Sequence, residues 1–223
     1  MKLWETFHYS DPFDGLVPFP EGELDMQGFE SEDPIFAPVI RHLQPKRIIE
    51  VGSWKGASAI YMAKLAPEAE ILCVDTWLGG LECYLSLNGH NPRWLYDQLK
   101  HDHGYPRMFY TFMNNVLREI GPDRICPLAL TSDIAARVIA GKIFPADLIY
   151  IDASHDYEDV LRDLESYWPL VRDGGVMIGD DYGDWPGVTR AVDEFFGLQP
   201  AVKRMKKFAV GKGFDITEWT DVV

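Results

Sequence analysis

The amino-acid sequence predicts an α/β fold: a doubly wound, mostly parallel sheet of seven strands with a terminal β hairpin and a helical lid inserted after the second strand. Three observations predict it. Apolar β runs alternate with helical stretches of about ten to fifteen residues, the pattern of a parallel sheet covered on both faces. A glycine turn closes the first of these runs. Almost fifty residues separate the second run from the third, far above the ~2–6 residues of an ordinary βα loop.

Residues 1–33 are rich in Pro, Gly, Asp and Glu without periodicity and read as an irregular arm. Trp4, Phe7, Tyr9, Phe13 and Phe19 argue that this arm packs on something. A short helix spans Pro34 to Leu43, and RIIEVG is the first strand. GASAIYMAKLAP has helical spacing and a proline stop at Pro67. EILCVDT, ICPLAL and ADLIYID are the second, third and fourth strands, DYEDVLRDLESYWPLV is an amphipathic helix, and VMIGDD is the fifth strand. WPGVTRAVDEFFG is a helix with Pro near its start and Gly at its end. Short β runs around Ala201 to Arg204 and Phe208 to Val210 make the hairpin.

The long connection, 77–122, begins at the carboxyl end of the second strand, where open α/β sheets bind ligands, so it reads as a lid within a single domain over 1–223. Its Trp77, Trp94, Tyr96, Tyr105, Phe109 and Tyr110 are either core or a stacking wall for a substrate ring.

Thirty-five acidic residues against twenty-one basic ones give a net charge of −14, which disfavours nucleic acid and anionic membranes as partners. The locally basic VKRMKKFAVGKG reads as solvated charges on an edge strand. Cys73, Cys83 and Cys126 are scattered and odd in number, which excludes a disulfide framework or a paired thiol metal site and points to a reducing compartment. No stretch approaches a spanning helix, so the expectation is a cytoplasmic protein.

Glu50-Val51-Gly52-Ser53-Trp54-Lys55-Gly56-Ala57-Ser58 follows the first strand and opens a helix, where a ligand can approach backbone N–H groups closely. The spacing G-x-x-x-G lacks the tight pyrophosphate cradle of dinucleotide sites. Asp75 ends the second strand, the place where a carboxylate accepts both hydroxyls of a ribose. A nucleoside-bearing ligand without pyrophosphate follows.

On Glu50-x-Gly52-x-x-x-Gly56 and Asp75, the chain resembles class I S-adenosylmethionine-dependent methyltransferases from Pro34 to Gly213. The resemblance implies a Rossmann-like sheet and cofactor contacts from Glu50, Gly52, Ser53, Gly56, Ser58, Asp75, Thr76 and Asp152. It adds Ser132 and Asp133, with Thr131, after the third strand, a trio that equally fits a helix cap.

Asp152 and His155 lie just past the fourth strand, and Asp180 and Asp181 just past the fifth. Parallel neighbours would bring three carboxylates to one edge, which calls for a cation; oxygen ligands favour Mg²⁺, or Mn²⁺. The rival readings are a cap or Asx-turn for Asp180 and Asp181, and an ordinary first-turn residue for His155. The segment IDASHDYEDVLRDLESYWPLVRDGGVMIGDD resembles metal-dependent O-methyltransferases, and within them the macrocin O-methyltransferase-like branch. That resemblance implies methyl transfer to a hydroxyl of a sugar or glycosylated natural product, with Asp152, Asp180 and Asp181 on the metal and with Asp152 and the base His155 as catalytic residues. Two other classes stay open: a noncatalytic S-adenosylmethionine-binding module, and a nucleotide-dependent oxidoreductase, which the missing pyrophosphate motif weakens. The expected partner is a small-molecule hydroxyl acceptor, and the aromatic arm offers a surface for a homo-oligomer.

Overall fold

The chain enters through a short helix, α1 (Leu3–Phe7), and an irregular arm, then forms α2 (Phe36–Leu43), β1 (Arg47–Val51), α3 (Ala57–Leu65) and β2 (Glu70–Asp75). The insertion supplies a 3-10 turn at Leu81–Cys83, α4 (Pro92–Gln98), β3 (His101–Asp102), β4 (Tyr105–Pro106) and α5 (Met108–Glu119). There follow β5 (Ile125–Ala129), α6 (Ser132–Gly141), β6 (Ala146–Ile151), α7 (Tyr157–Tyr167) with a 3-10 extension, and β7 (Val171–Gly179). The chain closes with α8 (Pro186–Phe196), β8 (Val202–Arg204), β9 (Lys207–Gly211) and α9 (Thr217–Thr220). This computed structural model describes residues 2–18, 24–28, 31–87, 91–142, 144–197, 202–204 and 206–220, so Phe19 and Ala201 lie outside the described residues.

One sheet runs in the order β5-β2-β1-β6-β7-β9-β8. Its first five strands are parallel, and β9 is antiparallel to both β7 and β8. Alternation along each strand splits the core in two. Ile48, Ile71, Tyr150 and Ile178 face one side with residues of α2, α3 and α5. Ile49, Leu72, Val74 and Met177 face the other with residues of α6, α7 and α8. Because both faces are covered, β1 is buried from Ile48 to Val51 and reads in sequence as an unbroken apolar run around Glu50. Helix α8 starts on Pro186 and stops before Gly197, as its punctuation predicts.

Three expectations change. The insertion is helical at both ends but carries the β3–β4 ribbon between, whose two-residue strands are too short to show alternation. The arm contains α1, which packs on β5, with His8 Nε2 2.7 Å from the Pro127 carbonyl oxygen and Phe7 edge-on to Phe144. The basic stretch is not uniformly solvated: β8 is the edge strand, β9 is paired on both sides, and Lys207 is wholly buried. Among the described residues no helix is long and apolar enough to cross a membrane.

Candidate active site

Val51 of β1 lies opposite Val74 of β2, so the turn after β1 and the end of β2 sit side by side at the carboxyl edge of the sheet. Gly52 has φ +90°, and a Cβ there would stand 1.7 Å from the Asp152 carbonyl oxygen. The turn needs glycine because the chain leaving β6 crosses directly over it. Gly56, φ +86°, would press a Cβ against the Phe112 ring at 2.9 Å, so α5 of the insertion packs onto the same turn.

Asp75 ties the two turns together. Its Oδ2 accepts from the Trp54 N–H at 2.8 Å and its Oδ1 from the Trp77 N–H at 2.6 Å, while the Trp77 indole N–H donates to the Trp54 carbonyl at 2.8 Å. The Thr76 backbone N–H bonds the same carboxylate, which leaves it room to accept from a ligand hydroxyl as well. Burial pushes the Asp75 carboxyl up, against the opposing pull of those backbone N–H groups. Thr76 Oγ1 accepts from the Leu78 N–H at 3.2 Å.

Glu50 is wholly buried beneath the turn, where Ser58 Oγ donates to it at 2.5 Å and Cys73 Sγ at 3.6 Å. Burial pushes its carboxyl up to about 7. Glu50 and Ser58 therefore join α3 to β1 from below. Among the described residues the buried Ser53 hydroxyl has no hydrogen-bond partner of proper geometry, although it lies against Glu50 and Cys73.

The acidic residues are ordered by strand register. Tyr150, Ile178 and Ala209 form one row across β6, β7 and β9, and Ile151, Gly179 and Phe208 the next. One further step places Asp152, Asp180 and Lys207 in a row on the Tyr150 face. The Tyr150 hydroxyl lies 3.1 Å from Asp152 Oδ2 and 3.0 Å from Asp180 Oδ2, sharing one proton between two carboxylates. The Lys207 ammonium pairs with Asp180 Oδ2 and donates to the Tyr150 oxygen at 3.3 Å. Burial, then the charge of Asp180, pushes the Asp152 carboxyl well above the usual carboxylate range, with Lys207 opposing.

Asp181, at φ +61°, turns away from this row, and its Oδ2 lies 2.8 Å from His155 Nε2. The three carboxylates expected on a divalent ion border one small void, but Asp181 is engaged by His155 and Asp180 by Lys207. Among the described residues no group of three or more His, Cys, Asp or Glu side chains is placed to hold a metal ion. A hard divalent cation wants several free oxygens around one point, and here the central oxygen, Asp180 Oδ2, carries an ammonium. As arranged, the residues do not fit Mg²⁺ or Mn²⁺. The turn and Asp75, by contrast, fit S-adenosylmethionine: they offer close backbone approach, a buried hydroxyl and a carboxylate at the end of β2.

A family model described as a methyltransferase domain matches residues 49–182, more than half of the chain, from β1 to the acidic edge. The chain belongs to this methyltransferase family. The fold agrees with CalS11, a calicheamicin methyltransferase, at a TM-score of 0.59 and 18% identity over 81% of this chain and 78% of that one. An O-methyltransferase from Bacillus cereus in complex with SAH superposes at 0.57, with 16% identity over 90% of this chain and 94% of that one. A curated relative, an uncharacterized protein of Acanthamoeba polyphaga mimivirus, is 37% identical over 51 residues, which are 22% of this chain and 23% of that protein. The matched stretch therefore spans less than a quarter of the relative's length.

In this methyltransferase His155 is held on both sides. Its Nδ1 lies 2.9 Å from Glu82 Oε1 of the insertion, its Nε2 faces Asp181, and its ring stacks on Trp185 at 4.1 Å and 9°. Burial alone would lower its pKa, but the two carboxylates raise it to about 10. At neutral pH the ring is an imidazolium donating both N–H groups, and it has no lone pair to take a proton. So held, the ring is a bolt between insertion and sheet edge.

Ala129 pairs with Asp75, which puts the start of α6 beside the end of β2. There Thr131, in the N-cap position, donates its hydroxyl to Asp133 Oδ1 at 2.6 Å, and the Ser132 carbonyl accepts from the Tyr167 hydroxyl at 2.9 Å. The insertion's aromatic residues divide: Trp77 is core, Tyr96 and Phe109 are half-buried, and Trp94, Tyr105 and Tyr110 are exposed.

The sequence pattern did not reveal Tyr150, Lys207, Glu82 or a second polar knot behind the glycine turn of the methyltransferase. In that knot Lys55 Nζ donates to Asp25 at 2.7 Å and Gln98 at 2.8 Å, and Asn115 Nδ2 donates to the Asp25 and Lys55 carbonyls. A cavity of about 330 Å³ lies between the arm and α3, lined by Met26, Ser31, Tyr61 and Lys64 among others, away from the acidic row. Beside that row is a small void of about 20 Å³, touched by Asp152, Asp180, Asp181 and Phe208. Converging polar atoms, not cavity size, mark the candidate site.

Proposed function

We propose that this methyltransferase moves the methyl group of S-adenosylmethionine to a hydroxyl oxygen of a small molecule, a sugar or a glycosylated natural product. The observation that carries this reading is the seam between Gly52 and Asp152: the glycine turn and the acidic row abut through backbone contact at one edge. The cofactor supplies an electrophilic methyl carbon. Gly52 and the Ser53 hydroxyl line its amino-acid side, Asp75 accepts the ribose hydroxyls, and Thr131, Ser132 and Asp133 border the adenine. Glu50, Ser58, Gly56 and Thr76 hold the shape of the two turns.

A sugar hydroxyl is a weak acid, so its proton must go to a positioned acceptor as the oxygen attacks. Asp152 takes that role in its ionised form, which the raised pKa makes a stronger base than an ordinary carboxylate. Its Oδ2 is fixed by Tyr150, which leaves Oδ1 to take the proton. The expected divalent-ion step is not part of the mechanism, because the residues do not offer the ion a ligand set. Residues 77–122 serve as the lid and 1–33 as the arm of one domain; holding donor and acceptor together in a water-poor cleft supplies much of the rate. CalS11, described as a TDP-rhamnose 3'-O-methyltransferase, supports a sugar acceptor.

The test is calorimetry with S-adenosylhomocysteine, followed by label transfer from methyl-labelled S-adenosylmethionine to a panel of nucleotide sugars and glycosides. Wild type is expected to bind one S-adenosylhomocysteine, and Asp75→Asn at least about tenfold more weakly, the ~1.4 kcal/mol of a ribose hydrogen bond. Labelled product should be an O-methyl ether. No binding by wild type, or label found on nitrogen or carbon, overturns the reading.

A further inference from the structure

We propose that Lys207 is the built-in cation of the acidic row, a fixed ammonium standing where related acid clusters would take a divalent ion, and that it positions Asp152 through Asp180 and Tyr150. The inference rests on the reading of this edge as the methyl-transfer site. Two carboxylates meeting at one hydroxyl, Asp152 and Asp180 at Tyr150, repel each other unless a positive charge joins them. The sheet register supplies that charge on the same row and the same face, from the antiparallel strand β9. The Lys207 side chain has no exposed surface and Asp180 only 9%. An ammonium is a compact charge with three donors. Here one reaches Asp180 Oδ2 and another the Tyr150 oxygen, which turns the tyrosine proton toward the carboxylates.

The neighbouring basic side chains act elsewhere. Lys206 pairs with Asp184 at 2.8 Å, Lys212 donates to the Trp168 and Val171 carbonyls, and His155 is engaged by Glu82 and Asp181. Among the described side chains Lys207 is therefore the ammonium that touches this row. It is a positioning residue, since it reaches the reacting hydroxyl only through Tyr150 and Asp180.

The experiment uses Mn²⁺ alone as probe, followed by electron paramagnetic resonance and by thermal shift, on wild type, Lys207→Met and Lys207→Arg, with the fold of each verified by near-ultraviolet circular dichroism. Wild type and Lys207→Arg are expected to leave Mn²⁺ free at about 100 μM, a concentration that would half-fill a site worth ~5.5 kcal/mol. Lys207→Met, with its acidic row uncompensated, is expected to bind Mn²⁺ at least about tenfold more tightly than wild type and to be stabilised by it. Stoichiometric Mn²⁺ on wild type overturns the proposal, and so does a folded Lys207→Met that gains no affinity. If Lys207→Met does not fold, wild type and Lys207→Arg decide: Mn²⁺ bound by either overturns it, and free Mn²⁺ in both supports it. A parallel titration with S-adenosylhomocysteine separates the two readings, because its failure strikes the methyltransferase site and leaves the Mn²⁺ result to speak for Lys207.

Discussion

Lys55 reaches back from the glycine turn and sets its ammonium 2.7 Å from the Asp25 carboxylate, with no exposed surface of its own. This pair fastens the arm to the turn. Burial pushes the Lys55 pKa down while Asp25 resists; for Asp25, burial pushes up, and Lys55 and Lys100 reverse it to below the usual range. Asp25→Asn strands a buried ammonium and is expected to cost about 3–5 kcal/mol. Lys55→Met should cost less, because Asp25 is partly exposed and keeps Lys100 at 3.0 Å. Urea unfolding of both variants checks this, and equal losses would contradict it.

The buried Glu50 gives the fold a pH dependence. Its pKa rises from an ordinary 4.5 to about 7 because burial penalises the charge. The stability attached to its proton is fully present below pH 4.5 and is lost as pH climbs through 7. Glu50→Gln removes the titration, so between pH 5 and 8 wild type should lose roughly 2–3 kcal/mol relative to the variant. Unfolding both proteins across that range decides it; a difference that stays flat with pH means the carboxyl is not protonated in the native state.

His155→Ala should loosen the insertion more than it harms cofactor binding. Glu82 loses its partner at 2.9 Å, while the exposed Leu78, Leu81, Tyr84 and Leu85 nearby offer little packing to replace it. Amide exchange in residues 78–86 is expected to quicken at least about tenfold, or ~1.4 kcal/mol of local opening energy, with affinity for S-adenosylhomocysteine nearly unchanged. Unchanged exchange in this segment would remove the bolt from the description.

Gly52→Ala should be far more damaging than Gly183→Ala, although both glycines have φ near +90°. At Gly183 a Cβ meets nothing within 4 Å, so the cost is the left-handed backbone alone, about 1 kcal/mol. At Gly52 the methyl would collide with the Asp152 carbonyl, and a loss above about 3 kcal/mol is expected. Thermal unfolding of the two variants compares them directly; similar losses would mean that the seam relaxes freely.

What could be read from the sequence was contiguous. The glycine turn, Asp75 and the alternation of strands and helices are written in short windows, where period and punctuation suffice. The acidic row was legible only as a need: carboxylates gathered at one edge demanded a cation, but its source was not local. Lys207 meets Tyr150 across 57 positions and Lys55 meets Asp25 across 30, and only sheet register and arm packing bring them together. A lysine opening a short β run looks like an edge charge until the order of strands is known. The direction of Asp181 was hidden for a different reason, because its left-handed backbone sends two adjacent carboxylates apart.

Translation adds one more consequence to the row that β9 completes. A ribosome releases Tyr150, Asp152 and Asp180 first, and Lys207 only 27 residues after Asp180. Until that strand docks, the paired carboxylates stay hydrated and mutually repelling, and the flank of β7 is bare backbone. The nascent chain thus carries a wet, charged seam that its own late lysine dries and seals, so that docking of the closing strand and readiness of the acidic edge are one event.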